Sequence, residues 1–167
     1  MLKPRTHLFK LGERLLSFAG YTPFALQRLA LERGLNQLFA EPLAEDAFEA
    51  LEDHWMRLEV ADLKLAWCLT CERRRLRIAE HAPVDVTIRG NWREFLLLAS
   101  RHEDPDTLFF RRRLVIEGDT ELGLSIKNLI DSLDPDMLPP WLWSLLQRAG
   151  EDVAQAGRTP SVAVCSN

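Results

Sequence analysis

Cys68-Leu69-Thr70-Cys71 is the one stretch of the chain with the spacing of a redox or metal-binding pair. Redox pairs of this spacing use a helix N-terminus to stabilise a thiolate. Here the neighbours alternate as in a strand, where positions three apart point to opposite faces, so ordinary strand cysteines are expected. A structural zinc site needs about four ligands, and His54 or His81 would have to be recruited without motif spacing. Asp104, Asp106, Glu117 and Asp119 suggest acid/base or calcium chemistry. Against this, Asp104-Pro105-Asp106-Thr107 reads as a turn and Asp119 as a helix cap. Arg73 to Arg75 and Arg111 to Arg113 carry charge enough for phosphate, but three successive strand residues cannot share a face, so both runs read as solvated rims. The chain has no Gly-x-Ser-x-Gly elbow, Gly-rich phosphate loop or His-Glu-x-x-His. Neither catalytic residues nor a metal or cofactor is expected.

The elements that hold these residues belong to one domain with a real core, since 47% of the 167 residues are apolar. A net charge of −4 argues against a general nucleic-acid binder. No strictly apolar run is longer than that from Phe95 to Ala99, which falls far short of the roughly 20 residues that span a bilayer. Lys10, Glu13 and Arg14 interrupt any signal-peptide core after Lys3 and Arg5, so a cytoplasmic protein is expected, with Cys68, Cys71 and Cys165 as thiols. Charge is polarised: residues 1–40 carry six basic and two acidic side chains, residues 41–62 one and eight.

In the basic segment Leu8, Leu11, Leu15, Leu16 and Ala19 recur at helical spacing, as do Leu31, Leu35, Leu38 and Phe39 after Thr22-Pro23, where Thr22 can cap and Pro23 suits a first turn. From His54 to Arg89 the period becomes two. Met56, Leu58 and Val60, then Leu63, Leu65, Trp67 and Leu69, then Val84, Val86 and Ile88 alternate with polar or small residues, predicting half-buried strands. Glu72 to Arg75 reads as a charged turn, and the short connections favour an antiparallel meander. Asn91 offers a cap for a greasy helix to Arg101. Leu114 to Glu117 predicts a strand, and Asp119 caps a helix whose stripe is Leu122, Ile126, Leu129, Ile130 and Leu133. Pro139-Pro140 opens a last helix from Trp141 to about Ala156, with Trp141, Leu142, Leu145 and Leu146 on its apolar side. Trp143 falls off that stripe, which suits a protein–lipid boundary.

The run from Asp104 to Phe110, continued by Arg113 to Leu124 and Lys127-Asn128, together with Thr22 to Leu26, strongly resembles the UbiT group within the sterol carrier protein type-2 (SCP2) lipid-binding superfamily. That resemblance implies an α+β fold: a mainly antiparallel sheet of about five strands, covered by helices around a hydrophobic tunnel. It divides the chain into basic helices (1–40), a lipid-binding domain (41–134), a C-terminal amphipathic helix (135–156) and a tail (157–167). It implies a non-catalytic accessory role in oxygen-independent ubiquinone biosynthesis. The protein would bind prenylated intermediates, and phospholipid, for the UbiU and UbiV iron-sulfur hydroxylases. The lipid-binding residues expected are Trp92, Phe95, Leu96, Phe109, Phe110, Leu122, Ile126 and Ile130, with Trp141 and Leu145 on a helix that contacts the membrane. A homodimer would help enclose a long tail. The alternatives are a general phospholipid carrier, a quinone-ring-modifying enzyme and a C-x-x-C metal or redox protein.

Overall fold

Alternation along the middle of the chain becomes a sheet because every second residue has a dry layer to enter. The computed structural model describes residues 22–132, 134 and 138–156. Its five strands are β1 (Met56–Val60), β2 (Leu65–Glu72), β3 (Arg75–Ala79), β4 (Val86–Gly90) and β5 (Leu114–Gly118). Their order is β3-β2-β1-β4-β5. Three of the pairings are antiparallel, but β1 and β4 run parallel, with Leu58 opposite Ile88. The expected meander is therefore corrected. The β2–β3 hairpin fills the connection between β1 and β4 and makes it long enough to return the chain in the same direction.

Register sorts the side chains. Met56, Leu69, Ile78 and Val86 lie side by side on the face the helices cover, all buried. The other face carries Arg57, Glu59, Arg89 and Glu117, linked by ion pairs of 3.1 to 3.8 Å. Such pairs add little stability, but they keep that face wet.

The helices are α1 (Phe24–Leu38), α2 (Ala40–Ala44), α3 (Trp92–Ala99), α4 (Pro105–Phe110), α5 (Thr120–Ser132) and α6 (Pro140–Ala156). Leu122, Ile126 and Leu129 of α5 bury onto the dry sheet face beside Leu43, Phe48 and Leu51. Asp119 caps α5 as expected, its Oδ1 accepting the Leu122 N–H at 2.9 Å. Asn91 stands at the N-cap of α3 without a side-chain cap bond, and Asp62 Oδ1 accepts the Trp92 N–H instead. Pro23 flanks α1 rather than sitting in its first turn. Asp104 to Thr107 is also corrected from a turn to a helix start: Asp104 accepts from the Thr107 N–H at 2.8 Å, and Pro105 opens α4. The sequence around residues 8–19, Leu133 and residues 157–167 lie outside the described residues.

Two local devices hold the sheet in place. At the hairpin tip Arg73 and Arg74 both adopt positive φ (51° and 60°), the conformation that a two-residue turn of this hand demands and that glycine or asparagine usually supplies. The Arg74 guanidinium holds the Asp46 carboxylate through two hydrogen bonds, which ties the tip down. Along the outer edge of β3, α1 replaces a neighbouring strand. Asn36 donates to the Leu76 carbonyl and accepts from its N–H, both at 2.9 Å, and Glu32 accepts from the Ile78 N–H at 2.9 Å. The edge amides of β3 are thus satisfied by side chains.

Asn36→Ala strands both polar groups of Leu76 at a partly buried edge. It is expected to cost about 1–3 kcal/mol in urea unfolding, and an unchanged midpoint would show that water replaces the amide at no cost. Hydrogen bonds from the Thr107 hydroxyl and N–H hold the Asp104 carboxyl below its ordinary range. Its contribution is therefore present above the ordinary carboxylate pKa and is lost as pH falls through the depressed value. The melting-temperature gap between wild type and Asp104→Asn should be widest near neutral pH and close in acid. A constant gap would contradict the cap.

Candidate lipid-binding site

Among the described residues the structure does not bring Cys68 and Cys71, or Asp104, Asp106, Glu117 and Asp119, together as one cluster. Cys68 and Cys71 are both buried and unbridged; Cys71 lies opposite Leu76 on the dry face, while Cys68 lies on the other. Burial, with Glu52 adding to it, pushes the Cys71 thiol up, away from the reactive thiolate. Asp104 and Asp119 cap helices, Asp106 binds Lys127 Nζ at 2.5 Å, and Glu117 faces Arg89 at 3.8 Å. Among the described residues no cluster of three His, Cys, Asp or Glu could hold a metal ion.

The arginine runs divide. Arg73 to Arg75 are exposed, as are Arg111 and Arg112. Arg113 is not a rim residue: it binds Glu94 Oε1 at 3.0 Å and Glu103 Oε2 at 2.6 Å. Burial opposes its charge, but the bonds to Glu94 and Glu103 outweigh that and raise the guanidinium pKa above the ordinary value. The pair lets α3 carry a buried carboxylate, which an alternation argument has no means of detecting.

What remains is an apolar cleft of about 480 Å³ between the dry sheet face and four helices. Leu58 of β1 forms its floor, with Leu38 and Phe39 where α1 ends. Phe95, Leu98 and Ala99 of α3 and Ile130 of α5 form the walls, while Leu138, Leu142 and Leu146 roof it. Arg101 and Asp134 stand at the rim. Arg101 is held there by the carbonyls of Ile130 and Asp131, each at 3.1 Å, so it also finishes the C-terminus of α5. Two roomier hollows of about 720 and 680 Å³ lie by the β2–β3 turn; five arginines, Glu32, Asn36 and Gln37 share the lining of the first with leucines and alanines, and Glu52, Asp53, Glu72 and three arginines line the second with Cys71. An apolar tail selects the smaller, drier one, whose volume falls within the roughly 300–1,000 Å³ of small-molecule sites.

The roof exists because α6 is pinned at one end. Gln147 Nε2 donates to the Ser100 carbonyl at 2.7 Å, and Val153 is buried. Gly150 lies so close to the end of α3 that a Cβ there would fall 2.1 Å from Ser100 Oγ and 2.6 Å from His102 Nδ1. With its C-terminal half seated there, the first two turns of α6 cross the cleft. Their inner residues Leu142 and Leu146 face the cleft, while Trp141 and Leu145 point outward, 70% and 47% exposed.

Of the residues expected to bind lipid, the cleft brings together Phe95 and Ile130. Leu122 and Ile126 are buried in the main core against the sheet. Leu96 is half-buried elsewhere on α3, and Trp92 stands at the start of that helix with the Arg93 guanidinium 5.8 Å from its ring centroid. Phe109 packs on a small cluster of Leu98, Leu108 and Leu114, while Phe110 is 87% exposed. Trp141 and Leu145 lie on the outside of α6, and Trp143, expected as the boundary indole, is half-buried. The residues missed are Leu38, Phe39, Leu58, Leu98, Ala99, Leu138, Leu142 and Leu146. Their apolar spacing signals burial, but no periodicity distinguishes a packed face from one left facing a void.

A five-stranded sheet, wet on one face and roofed on the other over an apolar cleft, is the arrangement that the family comparison then places. Residues 35–131 match the SCP-2 sterol transfer family, and the chain belongs to it. Within that family it is similar to the ubiquinone biosynthesis accessory factor UbiT of Escherichia coli (strain K12). The two are 40% identical over 156 residues, 93% of this chain and 89% of the relative. UbiT of Escherichia coli O157:H7 matches to the same extent. Among solved structures, a UbiJ-SCP2 ubiquinone synthesis protein shares the fold, with a TM-score of 0.54 and 22% identity over 66% of this chain and 93% of that one.

The seat of α6 is directly testable. Gly150→Ala must push Ser100 and His102 aside and is expected to cost about 1–3 kcal/mol by overpacking, measured by chemical unfolding. A neutral result would mean that α6 is not held there.

Proposed function

We propose that the protein is a non-catalytic carrier of prenylated ubiquinone intermediates: it takes the tail into the cleft under α6 and presents the ring at the rim. The cleft carries this reading. Its wall and floor side chains are hydrocarbon, and its polar groups, Arg101 and Asp134, stand at the edge where an aromatic head with oxygen substituents would sit. The 40% identity to UbiT supports the pathway. The partners on this reading are the UbiU and UbiV hydroxylases of the oxygen-independent branch. Phospholipid shares the cleft because a fatty acyl chain and a prenyl tail present the same surface.

The protein works from the cytoplasmic face of a membrane as a peripheral visitor. Among the described residues no helix is long and apolar enough to cross a bilayer. The outward Trp141 and Leu145 give α6 an apolar edge suited to the interface, where an indole keeps its N–H wet. Burying a tail is worth about 0.8 kcal/mol per methylene taken from water, so an isoprenoid tail does not cross cytosol unaided. Transfer from bilayer to cleft exchanges one apolar medium for another and is close to neutral, which permits both loading and release.

Native mass spectrometry of protein purified from its host, with extraction of what it holds, tests the reading. Prenylated quinone precursors or phospholipid are expected in wild type. Ala99→Trp, which fills the cleft, and Phe95→Asp, which charges its wall, should each reduce the lipid-bound fraction about tenfold or more, the scale expected when an apolar contact is lost or a charge is buried. Wild type without lipid, or equal retention in both variants, would remove the cleft as the carrier site.

A further inference from the structure

The two edges of the sheet are finished differently. At β3 the outward amides are satisfied by Asn36 and Glu32 of α1. At β5 the Asp119 N–H bonds the Asp85 carbonyl at 2.9 Å, one register step beyond the Val86–Gly118 pair. Antiparallel pairs alternate, so Glu117 and Val115 carry the bonds to β4, while the N–H and C=O of Leu114 and Ile116 point away from the sheet. Among the described residues nothing bonds those outward groups. Beside them runs a groove of about 500 Å³ between α4 and α5, edged by Phe110 and Leu124, 87% and 53% exposed.

We infer that β5 is the seam for a second copy of this chain, paired antiparallel about a two-fold axis at Ile116. Self-complementary charge selects that occupant. The strand enters from exposed Arg111 and Arg112 and leaves toward exposed Glu121, none of which has an ion-pair partner among the described residues. A two-fold axis at Ile116 turns the end of β5 that follows Arg111 and Arg112 in one copy toward the end that precedes Glu121 in the other, twice. The same operation brings Phe110 toward the exposed Leu124 of the second molecule, and Ile116 exchanges both of its free backbone bonds with its own equivalent. The product is a continuous ten-stranded sheet with no open edge at its centre, an isologous interface of the commonest symmetry. The seam lies apart from the carrier cleft, so it neither rests on the carrier reading nor falls with it.

Sedimentation equilibrium of the full chain across the micromolar range, after lipid extraction, tests this. Wild type should dimerise reversibly. Leu124→Lys and Arg111→Glu alter exposed side chains, so both should keep the wild-type circular dichroism and thermal transition while weakening the dimer about tenfold or more. Adding Glu121→Arg to Arg111→Glu should restore the dimer, because the pair is re-formed with its signs exchanged. A wild type that stays monomeric overturns the proposal, including one whose Phe110 patch instead binds phosphatidylglycerol vesicles. A dimer indifferent to both single variants, or a double variant as weak as its parents, overturns it equally.

Discussion

Where α6 is seated determines whether the protein has an interior to offer. Gly150 allows the helix to approach Ser100 more closely than any side chain would permit, and Gln147 bonds the same residue's carbonyl. Contact at that end fixes the angle at which the rest of α6 leaves the body. The first two turns then bridge from α3 toward the end of α1 instead of descending onto the sheet. A core that could close would close, because filling about 480 Å³ with side chains gains dispersion contacts that a void lacks. Local contacts that hold α6 in a bridging position are the alternative to that collapse, and the pair of Arg113 with Glu94 and Glu103 keeps α3 from shifting to relieve it.

The sheet's own constraints lead to the same arrangement. Over β1, β4 and β5 its outer face carries the Arg57, Glu59, Arg89 and Glu117 ladder, so the buried apolar side chains of those strands are covered from the other direction. Helix α5 covers β4 and β5, and α1 is drawn to the far edge by its bonds to β3. Between them Leu58 remains half-buried although it lies beside fully buried Ile88. That difference between two neighbouring residues on one face marks where the helical layer parts, and the cleft opens there.

Much of this was legible in the residues. Alternation located β1, β2 and β4, and the stripe and capping residue located α5, because each signal is local: a side chain's neighbours along the chain decide which way it points. The parallel β1–β4 pairing was not legible, since direction depends on what fills the connection between two strands. Asp104-Pro105-Asp106-Thr107 misled for a related reason. The same acid followed by proline opens a turn or a helix, and only the hydrogen bond to the Thr107 N–H decides. The cleft was half legible. Phe95 and Ile130 were expected there, while Leu122 and Ile126, on the same stripe as Ile130, went into the packed core. A stripe wider than one contact surface serves two neighbours, and its sequence carries no mark of where one ends. Arg113 was hidden because its carboxylate partners lie 19 and 10 residues away on other elements.

On the proposed carrier reading, partial enclosure of a tail follows from the size of the cleft and would favour release over storage. A cleft that holds only part of a long isoprenoid tail leaves the remainder needing an apolar surface, and the outward edge of α6 with Trp141 and Leu145 is the nearest. On a bilayer that edge and the protruding tail share the lipid. Away from it both are exposed to water, at about 25 cal/mol for each Å² of apolar surface. On the proposed reading a loaded carrier would therefore be stable chiefly at a membrane or against an apolar patch of another protein, and the same exposed surface that makes free solution costly would draw it to either destination. Tighter enclosure would remove that bias and, with it, the force that delivers the cargo.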